Sequence, residues 1–176
     1  MVIGGSGSGK SAYAEELACL YAEQEHTTKY YLASMQVFDE EGRRKVERHR
    51  ELRKGKGFLT IEQPLQIADA LYQMETGKKT VLLECISNLT ANEMFQRAQT
   101  RTGEEAAESI ISGIKQICET DTQLIIVSNN VFEDGITYDP ATMDYIHAMG
   151  KINQELASWA DRVVEVVAGI PVPVKG

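Results

Sequence analysis

Apolar positions along this chain fall into two kinds of stretch. Short, largely apolar runs recur at Val2-Ile3, Tyr30-Tyr31-Leu32-Ala33, Phe58-Leu59-Thr60-Ile61, Thr80-Val81-Leu82-Leu83, Leu124-Ile125-Ile126-Val127 and Val163-Val164-Glu165-Val166-Val167. Several lack the polar alternation of a half-exposed strand, which suits strands buried on both faces. Between them, apolar residues recur at helical spacing. The pattern predicts helices over about 11–24, 39–54, 64–74, from Asn88 or Thr90 through 97, 104–119 and 140–159, the last interrupted or bent near Gly150. The 64–74 helix would bury Leu65, Ala68, Leu71, Tyr72 and Met74, and the 104–119 helix Ala107, Ile110, Ile111, Ile114 and Ile117. Residues 100–103 read as a mobile loop, 130–139 as a loop, and 169–174 as a terminal turn and extension. Strands alternating with helices at these lengths imply a parallel, doubly wound sheet in one domain over 1–176.

One stretch breaks the alternation with chemistry. Gly4-Gly5-Ser6-Gly7-Ser8-Gly9-Lys10-Ser11 fits G-x-x-x-x-G-K-[ST]. An apolar strand precedes it and a strong helix former follows, the order a phosphate-binding loop requires. Glycines let the backbone turn so that successive N–H groups point inward on an anion, and the helix adds its positive end. Lys10 would reach the β- and γ-phosphates, and the Ser11 hydroxyl a Mg²⁺ ion. The competing reading is a flexible Gly/Ser turn or a tag remnant. The fold class is therefore α/β, P-loop NTPase-like: a mostly parallel sheet flanked by helices, with a short C-terminal antiparallel extension. Only Met1 to Ile3 precede Gly4, so the first strand should be short, with an N-terminus that is clipped or poorly ordered.

Glu84 closes the sharpest apolar run. An acid at the end of such a strand supplies the second Mg²⁺ contact in P-loop proteins; the alternative is an ordinary strand-terminal carboxylate. Glu84 and Asn129 end their own strands and should face one crevice at the carboxyl edge, where such sheets bind ligands.

Charge adds a second centre. The chain of 176 residues carries a net charge of −8, which argues against general nucleic-acid binding. Yet residues 43–56 hold eight cations against Glu47 and Glu51, a local +6, leaving −14 on the remainder. Such a patch on an acidic protein suits a local anionic ligand such as a nucleoside triphosphate. Lys45, His49 and Arg53 recur every fourth residue on one predicted helix face. Neighbouring cations disfavour protonation of His49, and a neutral imidazole is a competent nucleophile. The alternative is a solvated basic face with an incidental histidine. Cys19, Cys85 and Cys118 form no C-x-x-C pair and read as buried thiols of a reducing cytoplasm. No signal peptide and no run of membrane-spanning length is found.

Taken together, the loop at 4–11, Tyr31-Leu32-Ala33-Ser34-Met35, Arg48-His49-Arg50 with Arg53, Thr60-Ile61-Glu62, Leu82-Leu83-Glu84-Cys85, Val127-Ser128-Asn129 and Ala168-Gly169-Ile170-Pro171 resemble the adenosylcobinamide kinase/adenosylcobinamide-phosphate guanylyltransferase family of cobalamin biosynthesis, often called CobU. The resemblance runs nearly end to end. It implies an enzyme that phosphorylates the corrinoid adenosylcobinamide with ATP or GTP. It further implies transfer of GMP from GTP onto that phosphate through a GMP-histidine at His49. By the same resemblance Gly4, Gly5, Ser6, Gly7, Ser8, Gly9, Lys10, Ser11, Ala33, Ser34, Met35, Arg50, Glu51, Leu52, Arg53, Glu62 and Glu84 contact the nucleotide, and the protein is a homotrimer or similar oligomer. The chain departs from the family pattern at Asn129-Asn130, where Asn-Glu is usual, in the loop that follows over 131–136, and at Ile146-His147, where an Arg-Asp pair is expected. Two other readings stay open: a P-loop kinase with an unrelated small substrate, and a non-catalytic nucleotide-binding regulator.

Overall fold

The computed structural model describes residues 1–36, 40, 44, 47, 50, 51, 53–96, 100–130 and 135–176. In chain order the elements are β1 (Val2–Gly4), α1 (Lys10–Glu25), β2 (Thr28–Ala33), β3 (Phe58–Glu62), a 3₁₀ helix (Ile67–Gln73), β4 (Lys79–Glu84), α2 (Ile86–Phe95), α3 (Gly103–Cys118), β5 (Thr122–Asn129), α4 (Pro140–Trp159), β6 (Val163–Val167) and β7 (Ile170–Lys175). The strands form one seven-stranded sheet in the order β3-β2-β4-β5-β1-β6-β7. Every pairing is parallel except β6 with β7. The predicted α/β architecture and its antiparallel end are therefore present.

The first strand, short as expected, is an interior one. Val2 pairs with Val127 of β5 on one side and with Val164 of β6 on the other. β7 closes the far edge with Pro171 and Pro173, residues that lack an N–H and blunt an exposed strand.

Each face of the sheet has its own core. On one, Ala14 and Ala18 of α1 lie over Val2, Tyr31, Leu82, Ile125, Val127, Val164 and Val166. On the other, Tyr30, Leu32, Val81, Leu83 and Ile126 meet the 3₁₀ helix and α2, α3 and α4 through Ile67, Leu89, Ile110, Ile114, Ile117 and Ile152. β4 is covered on both faces, as its unbroken apolar run requires.

Five local expectations are corrected. Of the three cysteines expected inside, only Cys85 is buried; Cys19 is half-buried and Cys118 exposed. The segment predicted as a helix over 64–74 is a 3₁₀ helix over Ile67–Gln73 that buries Ile67 and Ala70; Met74, just past its end, is buried as expected. A spacing of three suits the 3₁₀ period, and Tyr72, expected inside, is 90% exposed. α2 begins at Ile86, before Asn88 or Thr90, with Cys85 at its N-cap. Thr90 instead donates back to the Ile86 carbonyl at 2.8 Å; its predicted end at Arg97 lies outside the described residues. Residues 100–103 contain a helix cap: Thr102 accepts from the Glu105 N–H while the Glu105 side chain accepts from the Thr102 N–H. α4 runs as one helix through Gly150. Asp139 caps it by accepting from the N–H groups of Ala141 and Thr142.

For the basic segment, Glu40, Arg44, Glu47, Arg50, Glu51 and Arg53 are helical, as predicted. Asp39, Arg43, Lys45, Arg48 and the loop residues 131–134 lie outside the described residues.

Candidate functional site

The loop between β1 and α1 is built by backbone freedom. Gly7 and Gly9 have φ of 71° and 91°, in the left-handed region that favours glycine. Gly4 is glycine for lack of room: a Cβ there would lie 2.6 Å from both Ser8 Oγ and the Val166 carbonyl oxygen. The loop closes on itself when the Ser8 N–H donates to the Gly5 carbonyl at 3.2 Å. It is also tied to the turn between β6 and β7, where the Gly169 N–H donates to the Ser8 carbonyl at 2.8 Å.

Lys10, the first residue of α1, is only 8% exposed. Its Nζ donates to the Gly5 carbonyl at 3.0 Å, reaching across the loop. Burial holds its ammonium below the ordinary lysine range, partly offset by Cys85 and Glu84. A buried cation whose acceptor among the described residues is one neutral carbonyl is poised for an anion.

Glu84 ends β4 with a different partner on each carboxylate oxygen. Ser11 Oγ donates to Oε1, and the Tyr31 hydroxyl donates to Oε2 at 3.0 Å. The strand register explains the meeting: Tyr31 pairs with Leu82 and Ala33 with Glu84, so Tyr31 and Glu84 point to the α1 face. Tyr31 is buried under Arg53, whose guanidinium carbon lies 3.5 Å from its ring centroid. Arg53 is itself 8% exposed, and its buried Nη1 has no hydrogen-bond partner among the described residues.

The expected partners at the carboxyl edge follow the same register. Glu62, Ala33 and Glu84 stand side by side at the ends of β3, β2 and β4. Glu62 is exposed and accepts from Arg50 at 2.8 Å. Glu51 pairs with Lys54 at 3.7 Å. Ser34 is committed to backbone: its Oγ accepts from the Cys85 N–H and donates to the Cys85 carbonyl, both at 2.8 Å. Met35 is half-buried beyond it. Asn129 ends β5 at the same edge and donates to Ser87 Oγ. Two clefts border these groups. One of about 400 Å³ runs between Gly5–Ser8 and Glu165–Ala168, with Asn130 at its side. The other, of about 480 Å³, lies between Arg50, Arg53 and Lys54 and the strand residues Phe58 and Thr60. His49 and Leu52 lie outside the described residues.

Two groups that shape this site were not visible in sequence reasoning. Tyr31 as the second partner of Glu84 sits 53 positions away, and only the strand register could have joined them. Lys56 donates to the buried Glu15 of α1 at 2.6 Å, so one of the eight cations is consumed by structure. The signal for that pair was Glu15 itself, an acid among the alanines of α1.

The donor set fits a magnesium ion. A hydroxyl and a carboxylate converge where the loop enters its helix, and both are the hard oxygen ligands Mg²⁺ selects. Among the described residues no three His, Cys, Asp or Glu side chains gather as a metal cage. A cation here would complete its shell with phosphate oxygens and water, as Mg²⁺ at nucleotide sites does.

A parallel sheet, a glycine loop running into a helix, a buried lysine and a serine–carboxylate pair define a P-loop nucleotide-binding protein. Solved structures share the fold. One solved ATPase domain superposes with a TM-score of 0.56 over 93% of this chain and 67% of that one, at 13% identity. The KaiC-like protein PH0186 of Pyrococcus horikoshii gives 0.53 over 93% and 68%, at 12% identity. The chain belongs to the cobinamide kinase / cobinamide phosphate guanyltransferase family, CobU, whose model matches residues 1–174. Curated relatives are the bifunctional adenosylcobalamin biosynthesis proteins CobP of Pseudomonas aeruginosa, 28% identical over all of this chain and 96% of that protein, and CobU of Escherichia coli, 26% identical over 99% and 98%. The resemblance read from the sequence is thus the family of the chain. No described helix is long and apolar enough to cross a membrane.

Proposed function

We propose that the chain is a bifunctional enzyme, one nucleotide-binding domain over 1–176, that carries out both reactions of its family at one P-loop. In the first, the aminopropanol hydroxyl of adenosylcobinamide attacks the γ-phosphorus of ATP or GTP. The bond to the β,γ-bridging oxygen breaks, and the nucleoside diphosphate leaves. In the second, a neutral His49 nitrogen attacks the α-phosphorus of GTP, and pyrophosphate leaves. The phosphate oxygen of adenosylcobinamide phosphate then attacks the GMP-histidine, breaking the P–N bond and restoring the imidazole.

The single observation that carries this reading is the buried Lys10, held across a glycine loop beside the Ser11–Glu84 pair. That arrangement suits a triphosphate: N–H groups of the loop cradle its oxygens, Lys10 bridges β and γ, and Ser11 with Glu84 holds Mg²⁺. When bound, Mg²⁺ neutralises the charge that builds on the leaving oxygen. Gly4 to Ser11, Ala33 to Met35, Arg50 to Arg53, Glu62 and Glu84 make up the nucleotide site of this proposal. Arg53, whose buried Nη1 has no partner among the described residues, supports an anion at this sheet edge. The same reading takes the enzyme as a cytoplasmic homo-oligomer, in keeping with three cysteines among which no disulfide forms.

The test is product analysis. Protein, Mg²⁺, ATP, GTP and adenosylcobinamide should yield first the corrinoid phosphate and then the GDP-linked corrinoid by mass spectrometry. His49→Ala should stop at the phosphate, and Lys10→Ala should abolish both. Phosphoryl transfer only to a non-corrinoid alcohol would instead support an unrelated small-molecule kinase. GTP binding without any product would support a regulator.

A further inference from the structure

Glu84 is held at both oxygens, and only one of its partners belongs to the P-loop. Ser11 takes Oε1. Tyr31 takes Oε2 at 3.0 Å, from a strand with no other described role at the loop. A glutamate carboxylate turns about a soft terminal torsion, so a single hydrogen bond leaves its second oxygen free to swing. A donor on that oxygen fixes the plane.

The phenol is suited to the task because it is immobile. The residue is 4% exposed. Arg53 covers one face of the ring at 3.5 Å, and Phe58 meets it edge-on at 6.2 Å and 77°.

We propose that Tyr31 is a positioning residue that aims the Glu84 carboxylate, through its Oε2, at the magnesium–nucleotide complex. The proposal rests on the function proposed above. It adds that the carboxylate's aim is set from β2, and that Arg53, on the basic helix, locks the residue that sets it. Second partners of ligating carboxylates typically matter about tenfold to a hundredfold in metal affinity.

The experiment is GTP binding by calorimetry, with Mg²⁺ and again with EDTA, on wild type, Tyr31→Phe and Tyr31→Leu. The phenylalanine keeps the ring, the Arg53 stack and the Phe58 contact, and removes only the donor. It should reduce the Mg²⁺-dependent gain in affinity about tenfold, leave binding in EDTA unchanged, and melt at the wild-type temperature. The leucine also removes the ring under Arg53, so it should lower the melting temperature and weaken binding in both conditions. A wild-type Mg²⁺ gain in Tyr31→Phe would overturn the proposal alone, as would equal weakening with and without the metal. Absence of any Mg²⁺ gain in the wild-type protein would overturn the proposal together with the nucleotide reading beneath it.

Discussion

The two faces of the sheet make an instructive pair. Under α2, α3 and α4 the buried side chains are large and aliphatic: Leu32, Leu83, Ile67, Leu89, Ile110, Ile114, Ile117 and Ile152. Under α1 the strands also bury aliphatic residues such as Leu82, Ile125 and Val127, but the helix meets them with small ones, Ala14 and Ala18, with Tyr31 on the sheet and Lys10 and Glu15 buried at the margin. Alanines at every fourth position let α1 lie close to the strands, and closeness brings Ser11 within reach of Glu84. The helices of one face supply bulk for stability, and the helix of the other gives up bulk for a polar site.

Variants can separate the two faces. The largest effect should come from the polar one. Lys10→Ala removes a charge-assisted contact to each of two phosphates, about 2 kcal/mol apiece, so calorimetry should show a roughly thousandfold loss of GTP affinity. Its melting temperature should not fall, because the lysine's burial is a cost in the free protein. The sign follows from linkage. A folded pKa below the unfolded one means the unfolded chain binds more protons, so stability rises with pH between the two values. That rise, read from denaturant melts on the alkaline side, should vanish in Lys10→Ala.

Ile114→Ala tests the bulky face. The side chain is fully buried, so the cavity and lost transfer energy should cost about 3 kcal/mol in urea unfolding, with GTP affinity unchanged. If affinity fell as far as stability, the division between faces would be wrong. Ala18→Leu forces bulk between α1 and the sheet. It should cost about 2 kcal/mol by overpacking, and here GTP affinity should fall too, because α1 carries Ser11. The smallest effect belongs to Arg50→Ala. Its pair with Glu62 is 60% and 65% exposed at the two side chains, so stability should change by less than about 1 kcal/mol.

The same contrast explains what the sequence could disclose. Unbroken apolar runs such as Val81-Leu82-Leu83 name the buried strands, and Ile110, Ile114 and Ile117 name the face of α3, since what that face buries is aliphatic. The loop at 4–11 was legible because its glycines and Lys10 are contiguous. What escaped were pairings between distant positions: Tyr31 with Glu84, Lys56 with Glu15, and the clamp of Gly169 on the Ser8 carbonyl. Each depends on strand register or a helix docking angle, which no local pattern encodes. The cap at Thr102 was within reach, since Thr102 and Glu105 form the capping-box spacing. The 3₁₀ helix at Ile67–Gln73 was misjudged because Leu65, Ala68, Leu71 and Tyr72 offer a helical period that the buried set, spaced by three, does not follow.

The account depends on one bound nucleotide serving both the glycine loop and His49. Incubation with Mg²⁺ and GTP labelled at the α-phosphate, followed by peptide mapping, tests this most directly. A single acid-labile, base-stable label on His49 is expected, absent in His49→Ala and absent in Lys10→Ala. Label on another residue, or label on His49 that persists when Lys10 is removed, would contradict it.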